Sequence, residues 1–442
     1  MDVLFPHDEI RQYQDDFIKD VHEAVSKSSH LIAHAPTGIG KSSAVLSATV
    51  KLAIDKGLTI FFITPKHTQH KIVIETLNKI KTKFKLDFTV IDLIGKKSLC
   101  ALEEITSLSS SEFNEYCKYV ASNDQCQFYS NTYDKKQTTI RAKKLLSELK
   151  GKCFHAEELK DVVTQSKLCP YEMSCLASKS AKVIVADYNH ILNPFIREGL
   201  LKKMGKEINE LIVIIDEAHN VVDKTRELLS ARLTSINLER AKKEALVFGS
   251  RELAKTIDKL SVNISEIVCS YNERLLTKQE LLNIIEPLVD YDEFVRDLNN
   301  LAEKTHEKKK RSYASSISTF LTLWVGPDEA YTRIIGKTYN QCSKQFYILY
   351  QCLDPSLITK PLANSVHSLI LMSGTLIPVE VYKNLFGIET ATKVYQSPFP
   401  KHNKLTIIVP ETTTKFTTRS EDMYKAIAKK CVEITEAIPG NS

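Results

Sequence analysis

Two short segments of the chain carry residue types that together could bind and hydrolyse a nucleoside triphosphate. In the first, APTGIGKS at residues 35–42, glycines precede a lysine and a serine at the start of a helical pattern. Glycines let backbone N–H groups close around phosphates at a helix N-terminus, where the helix dipole favours an anion. Lys41 would hold the β- and γ-phosphates, and the hydroxyl of Ser42 would bind Mg²⁺.

The remaining residues of this loop would surround the phosphates mainly with backbone groups. They are Ala35, Pro36, Thr37, Gly38, Ile39 and Gly40. Ala35 stands where the general phosphate-loop pattern has its first glycine. The alternative for this segment is a chance glycine turn before a helix.

The second segment, LIVIIDEAHN at residues 211–220, places two carboxylates directly after five apolar residues. Asp216 would lie at the carboxyl end of a buried strand, the usual place for a ligand group in an open α/β sheet. It would bind Mg²⁺ through water, and Glu217 would polarise the attacking water. His219 fits a coupling role better than that of a base. Alone, these letters could be a helix start with an aspartate cap, but with the phosphate loop they predict ATP hydrolysis.

Cysteines form a second candidate site. Six of the ten fall within about 75 residues, from Cys100 to Cys175, and clustered cysteines in a reducing compartment more often bind metal or do redox work than form disulfides. Their spacing contains no Cys-x-x-Cys and is by itself a weak metal signal. The other four lie in apolar contexts and are predicted to be buried small hydrophobes: Cys269, Cys342, Cys352 and Cys431.

Short, nearly continuous apolar runs must position these residues, and runs of this kind are typical of strands buried on both faces. The runs are HLIAHA (30–35), LTIFFIT (58–64), KVIVADY (182–188), LIVIID (211–216) and SLILMSG (368–374). Helical patterns lie between several of them, such as Ser42 to Lys56, which ends at Gly57. This alternation predicts an α/β fold with a parallel sheet and helices on both sides.

Two stretches do not follow that alternation and are predicted to be insertions. Residues 97–170 are rich in cysteine and polar side chains, whereas residues 224 to about 322 have Leu and Ile at helical spacing.

The composition is that of a globular protein. At 442 residues the chain is long enough for two or three domains, and its 43% hydrophobic and 26% charged residues exclude the disordered and fibrous classes. A net charge of +6 permits polyanion binding without arguing for it. No apolar run approaches 18 residues, so we expect an intracellular protein without a membrane partner.

The phosphate loop, the DEAH letters and LMSGTLIP at 371–378 resemble motifs I, II and III of a superfamily 2 helicase. Ser373 and Thr375 match the motif that links the ATP state to the grip on the nucleic-acid strand. RQYQ resembles the Q motif, so Gln14, with Arg11, would read the adenine base; a position on a helix surface is the alternative.

ITPKHTQHKIV resembles motif Ia, in which a loop after a strand touches the nucleic-acid backbone. By that resemblance His67 and Thr68 would contact DNA. Either residue could instead cap the helix that follows.

The cysteine region resembles that of XPD-type helicases in order and local context. Its four implied iron–sulfur ligands are Cys100 in GKKSLC, Cys117 in NEYC, Cys126 in QCQFYSN and Cys169 in LCPYEMSCLA. CPY and then VIVADYNHIL lead to DEAH in the family's order, and the similarity spans almost the whole chain. It implies a [4Fe–4S] cluster that staples a small domain. A structural Zn²⁺ is the alternative, and Cys153 or Cys175 could replace an assigned ligand.

The resemblance implies an ATP-dependent 5′ to 3′ DNA helicase, related also to DinG-type enzymes and acting in DNA repair. The cluster domain would be a wedge that splits the duplex, and KKQTTIRAKK at 135–144 would line the DNA path, with a solvated helix face as the alternative. The alternative function is an ATP-gated, single-stranded-DNA-binding regulatory subunit without turnover.

As partners we expect single-stranded or forked DNA, together with repair or transcription proteins, around a monomeric chain. The protein would lie in the cytoplasm, at the nucleoid, in an archaeon or bacterium and in the nucleus in a eukaryote. The resemblance divides the chain as follows: helicase domain 1 at 1–96, 171–223 and 323–378; the iron–sulfur domain at 97–170; the arch at 224–322; and the start of helicase domain 2 at 379–442. Since motifs IV to VI are not found, the expectation is a fragment with little activity alone; a naturally short regulator is the alternative.

Overall fold

The computed structural model describes residues 3–108, 110–269, 272–308, 312–338, 345–400 and 405–438. The chain forms two compact units, Met1–Ser397 and Pro398–Ser442. Among the described residues, no helix combines the length and the apolar character needed to cross a bilayer.

The described strands, in chain order, are β1 (Leu31–His34), β2 (Thr59–Ile63), β3 (Thr89–Leu93), β4 (Tyr133–Asp134), β5 (Gln137–Thr138), β6 (Cys153–Phe154), β7 (Ala181–Ala186), β8 (Leu211–Ile215), β9 (Ala231–Thr234), β10 (Glu273–Leu275), β11 (Tyr331–Thr338), β12 (Gln345–Cys352), β13 (Ser368–Ser373) and β14 (Ala391–Val394).

The described helices of the first unit are α1 (Gln14–Ser26), α2 (Lys41–Asp55), α3 (His67–Phe84), α4 (Lys96–Leu99), α5 (Ser110–Ser122), α6 (Gln127–Thr132), α7 (Ile140–Leu149), α8 (Ala156–Gln165), α9 (Pro170–Ala177), α10 (Asn189–Leu192), α11 (Pro194–Met204), α12 (Asn220–Leu228), α13 (Ser235–Val247), α14 (Arg251–Cys269), α15 (Lys278–Ile285), α16 (Tyr291–Lys308), α17 (Tyr313–Trp324), α18 (Ser356–Ser365) and α19 (Val379–Phe386). The second unit contains α20 (Glu421–Ala437).

An eight-stranded parallel sheet is the centre of the first unit. Its strand order is β14-β1-β13-β8-β2-β7-β3-β6, and each neighbouring pair is parallel. All five apolar runs became strands of this sheet, and the predicted α/β fold is confirmed. β1, β2, β8 and β13 are buried along their whole length because helices cover both faces.

Successive residues of the strands enter two different hydrophobic cores. Ile60 and Phe62 pack in the core formed with α1, α2 and α3. Phe61 and Ile63 pack in the core on the other face, formed with α7 to α11, α18 and α19. This alternation follows from the two-residue period of a strand. Because the strands are parallel, the carboxyl ends of β1, β2, β7, β8 and β13 lie at one edge of the sheet.

A smaller antiparallel sheet, in the order β10-β11-β12-β9, carries helices α13 to α17 on a third hydrophobic core. The sequence predicts a helical insertion here, and the structure adds this sheet to it. Buried and partly buried residues alternate along β12, which is the pattern of a strand with one covered face. The longer helical pattern before it hides this signal in the sequence.

The predicted domain limits can be compared with these elements, although the limits themselves stay predictions. β6 lies inside the predicted cysteine-rich segment, yet it pairs with β3 at the edge of the main sheet. β11 and β12 lie beyond residue 322, yet they pair with β10 and β9.

In the second unit, α20 has no buried residue, and the side chain of Cys431 on this helix is exposed. The prediction that Cys431 is buried is therefore wrong, because its helix packs on no core within the described part of that unit. Cys352, at the end of β12, is buried as predicted. Cys342 and the side chain of Cys269 lie outside the described residues.

Candidate functional site

The phosphate loop connects the end of β1 to the start of α2. The backbone N–H of Ala35 donates to the carbonyl of Ser373 at 2.9 Å, which continues the pairing of β1 with β13 past the strand end. Gly38 and Gly40 then take positive φ angles of 94° and 78°, a left-handed region that favours glycine. The turn ends at Lys41, the first residue of α2, so the helix N-terminus faces the loop.

Gln14 and Arg11 contact this loop from α1 and the turn before it. The amide of Gln14 is buried, with 1% of the residue exposed, and its Nε2 donates to the carbonyl of Gly40 at 3.1 Å. Its Oε1 accepts from the backbone N–H of Arg11 at 3.0 Å, and Arg11 Nη1 donates to the carbonyl of Gly38 at 2.7 Å. Gln14 is therefore not a helix-surface residue; its predicted contact with adenine stays a prediction.

Asp216 follows β8 and is 5% exposed. Its backbone N–H donates to the carbonyl of Ile63 at 2.9 Å, which fixes it beside the end of β2. Burial raises the pKa of the Asp216 carboxyl to about 6, and the nearby Glu217 adds to this rise, whereas Lys41 lowers it. A carboxylate at this position would therefore gain from a bound cation, as a Mg²⁺ ligand does.

Glu217 is held in a left-handed turn with a φ of 50°. The hydroxyl of Tyr188 is 2.7 Å from the carbonyl oxygen of Asp216 and 2.8 Å from that of Glu217, and it donates to this pair. The hydroxyl of Ser373 donates to Glu217 Oε2 at 3.1 Å. Backbone and carboxylate of Glu217 are thus both fixed.

The three predicted coupling residues meet beside Glu217. His219 Nδ1 lies 2.8 Å from Ser373 Oγ, 2.9 Å from Thr375 Oγ1 and 3.5 Å from Glu217 Oε2. The two hydroxyls are 3.2 Å apart. DEAH and SGT, more than 150 residues apart in the sequence, therefore share one hydrogen-bond network. The coupling role itself stays a prediction.

His67 and Thr68 are the first two residues of α3, and both are exposed. The residue at the N-cap is Lys66, and no side chain makes a capping hydrogen bond there, so neither residue serves as the cap. His67 Nε2 lies 3.8 Å from Asp187 Oδ1. Their contact with DNA stays a prediction.

A buried polar group under α3 was missed by the sequence analysis. His70 Nδ1 lies 2.6 Å from Asp92 Oδ1, and both side chains have at most 1% of their surface exposed. Asp187 and Tyr188, which contact α3 and the DEAH turn, were missed as well. The rule that parallel strands end at one edge could have found Asp187 and Tyr188, since they directly follow β7.

The four predicted cluster ligands line one cavity of about 30 Å³. Short helices bring them there: Cys100 follows α4, Cys117 lies in α5, Cys126 precedes α6, and Cys169 precedes α9. All four are free thiols. Two other cysteines of this region lie elsewhere, since Cys153 pairs with β3 in the main sheet and Cys175 is buried in the core beneath it.

The character of this cavity tests whether the four thiols fit a metal group. Burial raises the pKa of Cys169 to about 12 and also raises that of Cys100, with Cys117 and Cys126 close enough to add to both shifts. Thiolates here would thus need a bound cation. Within the described ranges, no three His, Cys, Asp or Glu side chains are arranged to hold a single ion. The structure thus gathers the four predicted thiols at one cavity, and the cluster itself stays a prediction.

Known proteins resemble this chain in sequence and in fold. Residues 62–238 match the family model DEAD_2. The chain is 24% identical to the general transcription and DNA repair factor IIH helicase subunit XPD/RAD3 of Saccharomyces cerevisiae, covering 92% of this chain and 63% of that protein. It is 24% identical to the ATP-dependent DNA helicase CHL1 of Kluyveromyces lactis, with 76% and 43% covered. It is 25% identical to the ATP-dependent DNA helicase XPD of Sulfolobus acidocaldarius, with 96% and 70% covered.

The chain thus spans 43% and 63% of the two fungal proteins. Among solved structures, one titled XPD_Helicase matches with a TM-score of 0.61 at 23% identity, over 97% of this chain and 70% of that one. Another, titled Truncated XPD, matches with a TM-score of 0.56 at 22% identity, over 86% and 99%. These structures share the fold. In its DEAD_2 segment and over most of its length, the chain is thus similar to XPD-type DNA helicases.

Proposed function

We propose that this protein is an ATP-dependent DNA helicase that moves 5′ to 3′ along single-stranded DNA and acts in DNA repair. One observation carries the proposal: Lys41, Asp216 and Glu217 meet at one edge of the parallel sheet, and Glu217 is joined to the SGT motif by hydrogen bonds. The names of the similar proteins, which include DNA helicases, support the choice of substrate.

The residues around the phosphate loop divide the work of ATP hydrolysis. The N-terminus of α2 and Lys41 would bind the triphosphate, and Ser42 with Asp216 would hold Mg²⁺, which when bound neutralises phosphate charge. Glu217 would orient and polarise the attacking water. Ser373 donates to its carboxylate and Tyr188 to its backbone, so the carboxylate needs little reorganisation before reaction.

His219, Ser373 and Thr375 would report the state of the nucleotide to the DNA path. The three side chains share hydrogen bonds with each other and with Glu217, so a change in the Glu217 contact must rearrange the others. This position, between the DEAH turn and the strand end of β13, supports the coupling role.

Cys100, Cys117, Cys126 and Cys169 would hold a [4Fe–4S] cluster, which supplies a rigid cross-link among the helices that surround it. The cluster would keep α4, α5, α6 and α9 together as a wedge beside the DNA. Phe113, Val120 and Phe128 also line the cavity and would keep water from the cluster.

A larger cavity of about 930 Å³ adjoins this site and fits single-stranded DNA in character. Five lysines line it, at positions 96, 118, 135, 136 and 203, and outnumber the acidic residues at 124, 134 and 172; Tyr129 and Tyr133 line it as well. Lysines track a phosphate backbone, and tyrosine rings stack on bases. Lys135 and Lys136 belong to the segment that the sequence analysis placed along the DNA path.

DNA-stimulated ATP hydrolysis by the purified protein tests the proposal. We expect a low rate, as predicted for this chain alone, that rises with single-stranded DNA, and we expect Glu217→Gln to abolish this rate while ATP still binds. An ATP-gated binding subunit would instead bind both ligands, and its residual rate would not change with Glu217→Gln. That result would contradict the proposed activity.

A further inference from the structure

We propose that Asp187 and Tyr188 link helix α3 to the catalytic turn, so that DNA bound at the start of α3 sets the position of Glu217. The inference rests on the proposed function, because it assumes that α3 contacts DNA and that Glu217 acts on ATP. It assigns a positioning role to two adjacent residues that follow β7.

Tyr188 forms the end of the link at the ATP site. Its side chain is buried, with 6% of the residue exposed, and its hydroxyl shares one hydrogen between the carbonyls of Asp216 and Glu217. Burial raises the pKa of this phenol, so it remains a neutral donor. A left-handed φ is strained for a non-glycine residue such as Glu217. The hydroxyl of Tyr188 therefore holds a turn that would relax if released.

Asp187 forms the end of the link at the DNA side. Its Oδ1 lies 3.8 Å from Nε2 of the exposed His67 and 3.6 Å from Nε2 of the buried His70, both on α3. A single peptide thus sends one side chain to α3 and the next to the DEAH turn. A displacement of α3 must move Asp187, and with it the phenol of Tyr188.

His70, which faces Asp187, also anchors α3 to the elements around it. His70 contacts Asp92 Oδ1 at 2.6 Å and the carbonyl of Thr64 at 3.4 Å. The other oxygen of Asp92 accepts from the backbone N–H of Ala156 at 3.0 Å, at the start of α8, and lies 3.5 Å from His155 Nε2. α3 is therefore clamped to the elements around it. Because these contacts belong to one network, a shift at one of them changes the others as well.

Two conservative substitutions separate the link from the site itself. Tyr188→Phe removes only the hydroxyl and keeps the ring, and Asp187→Asn removes the charge that faces α3. The matched control is Tyr395→Phe, which removes the hydroxyl of another buried tyrosine that donates to Asp20 at 2.6 Å, in contact with α1. If one of the two link variants fails to fold, the other still tests the proposal.

The readout is hydrogen exchange of the 211–220 backbone in the full chain, with and without a single-stranded oligothymidylate and without turnover. In the wild type and in Tyr395→Phe we expect the DNA to slow exchange around Glu217 about fivefold or more. In either link variant the DNA should bind with similar affinity and change exchange less than twofold. The double variant should lose no more of the DNA-dependent slowing of exchange than a single variant does, since both residues act in one path.

The outcomes separate the two proposals. If the wild type binds the oligonucleotide and both link variants respond as it does, the link is wrong and the proposed function stands. If the wild type binds no DNA, the proposed function fails and the link has nothing to transmit. An effect in Tyr395→Phe equal to that in Tyr188→Phe would reduce the role of Tyr188 to general packing.

Discussion

At the scale of single residues, Gly40 shows how closely the phosphate loop is built against its neighbours. A Cβ at this position would lie 2.5 Å from Nε2 of Gln14, whose amide is already bonded to the carbonyl of Gly40. The φ of 78° adds a second reason for glycine. The side chain of Gln14 therefore leaves no room for a Cβ at residue 40.

Gly40→Ala should lower the free energy of unfolding by about 2–4 kcal/mol, as strain at a positive φ adds to a contact that must give. Gly57→Ala is the matched control, because Gly57 has a φ of 73° and no atom within 4 Å of the added carbon. We expect it to cost only about 1–2 kcal/mol. Urea unfolding of both variants measures the difference. Equal costs would mean that the contact with Gln14 is unimportant.

At the scale of elements, α3 is joined to β3 by the buried pair of His70 and Asp92. Burial alone would lower the pKa of His70, but the hydrogen bond and charge of Asp92, with Asp187 nearby, raise it above its usual value. The folded state therefore keeps a proton that the unfolded chain releases near pH 6.5. Stabilisation from the pair is complete below this pH and is lost as the pH rises through the folded-state pKa of His70.

Comparison of the wild type with His70→Gln checks this pH dependence. The difference between their free energies of unfolding should be largest near pH 6 and shrink as the pH rises, because only the wild type has the bound proton to lose. His67→Gln, an exposed change on the same helix, should follow the wild type. A difference that stays constant from pH 6 to 9 would show that His70 does not titrate there.

Four short elements gather the cysteines of the cavity, and this arrangement makes the ligand assignment testable. Cys100→Ser and Cys169→Ser should each lower the iron content from about four per chain to below one, because a cubane cluster needs all four thiolates. Cys153→Ser is the control, since Cys153 lies in β6 and should not affect iron. Metal analysis with visible absorption gives the answer; stoichiometric zinc without a visible band would contradict the cluster.

The elements that could be predicted from the sequence are those with a strong local pattern of apolar residues. Apolar runs predicted five strands of the main sheet because both faces of each are buried. Three strands of the sheet were not predicted. The run of β3 is interrupted by Asp92, β6 has only two residues, and β14 pairs with β1 although its residues are mostly exposed. The pairing of Asp92 with His70 depends on two elements meeting in space, and no local pattern announces it.

At the scale of the whole molecule, ATP binding should stabilise the fold, since the site joins β1, α2 and β8. Mg²⁺ and a non-hydrolysable ATP analogue at 100 times the dissociation constant should add about 2.7 kcal/mol. Lys41→Ala should reduce this gain to about 0.5–1.5 kcal/mol at the same concentration, because a charge-assisted contact with phosphate is lost. Glu217→Gln should retain the full gain. Calorimetric melting measures all three; equal gains in the two variants would contradict the assigned roles.

The order of strands also has a consequence for how the protein is made on the ribosome. β1, which leads into the phosphate loop, is flanked by β13 and β14, and Leu31 pairs with Ile370 and Ala391. At roughly 5–20 residues per second, β1 waits on the order of 20–70 s after its own synthesis before either neighbour exists. The antiparallel sheet of β9 to β12 can form earlier, because its last strand ends at Cys352. During translation the nucleotide site is therefore among the last parts to form, and the nascent β1 must be kept from pairing elsewhere.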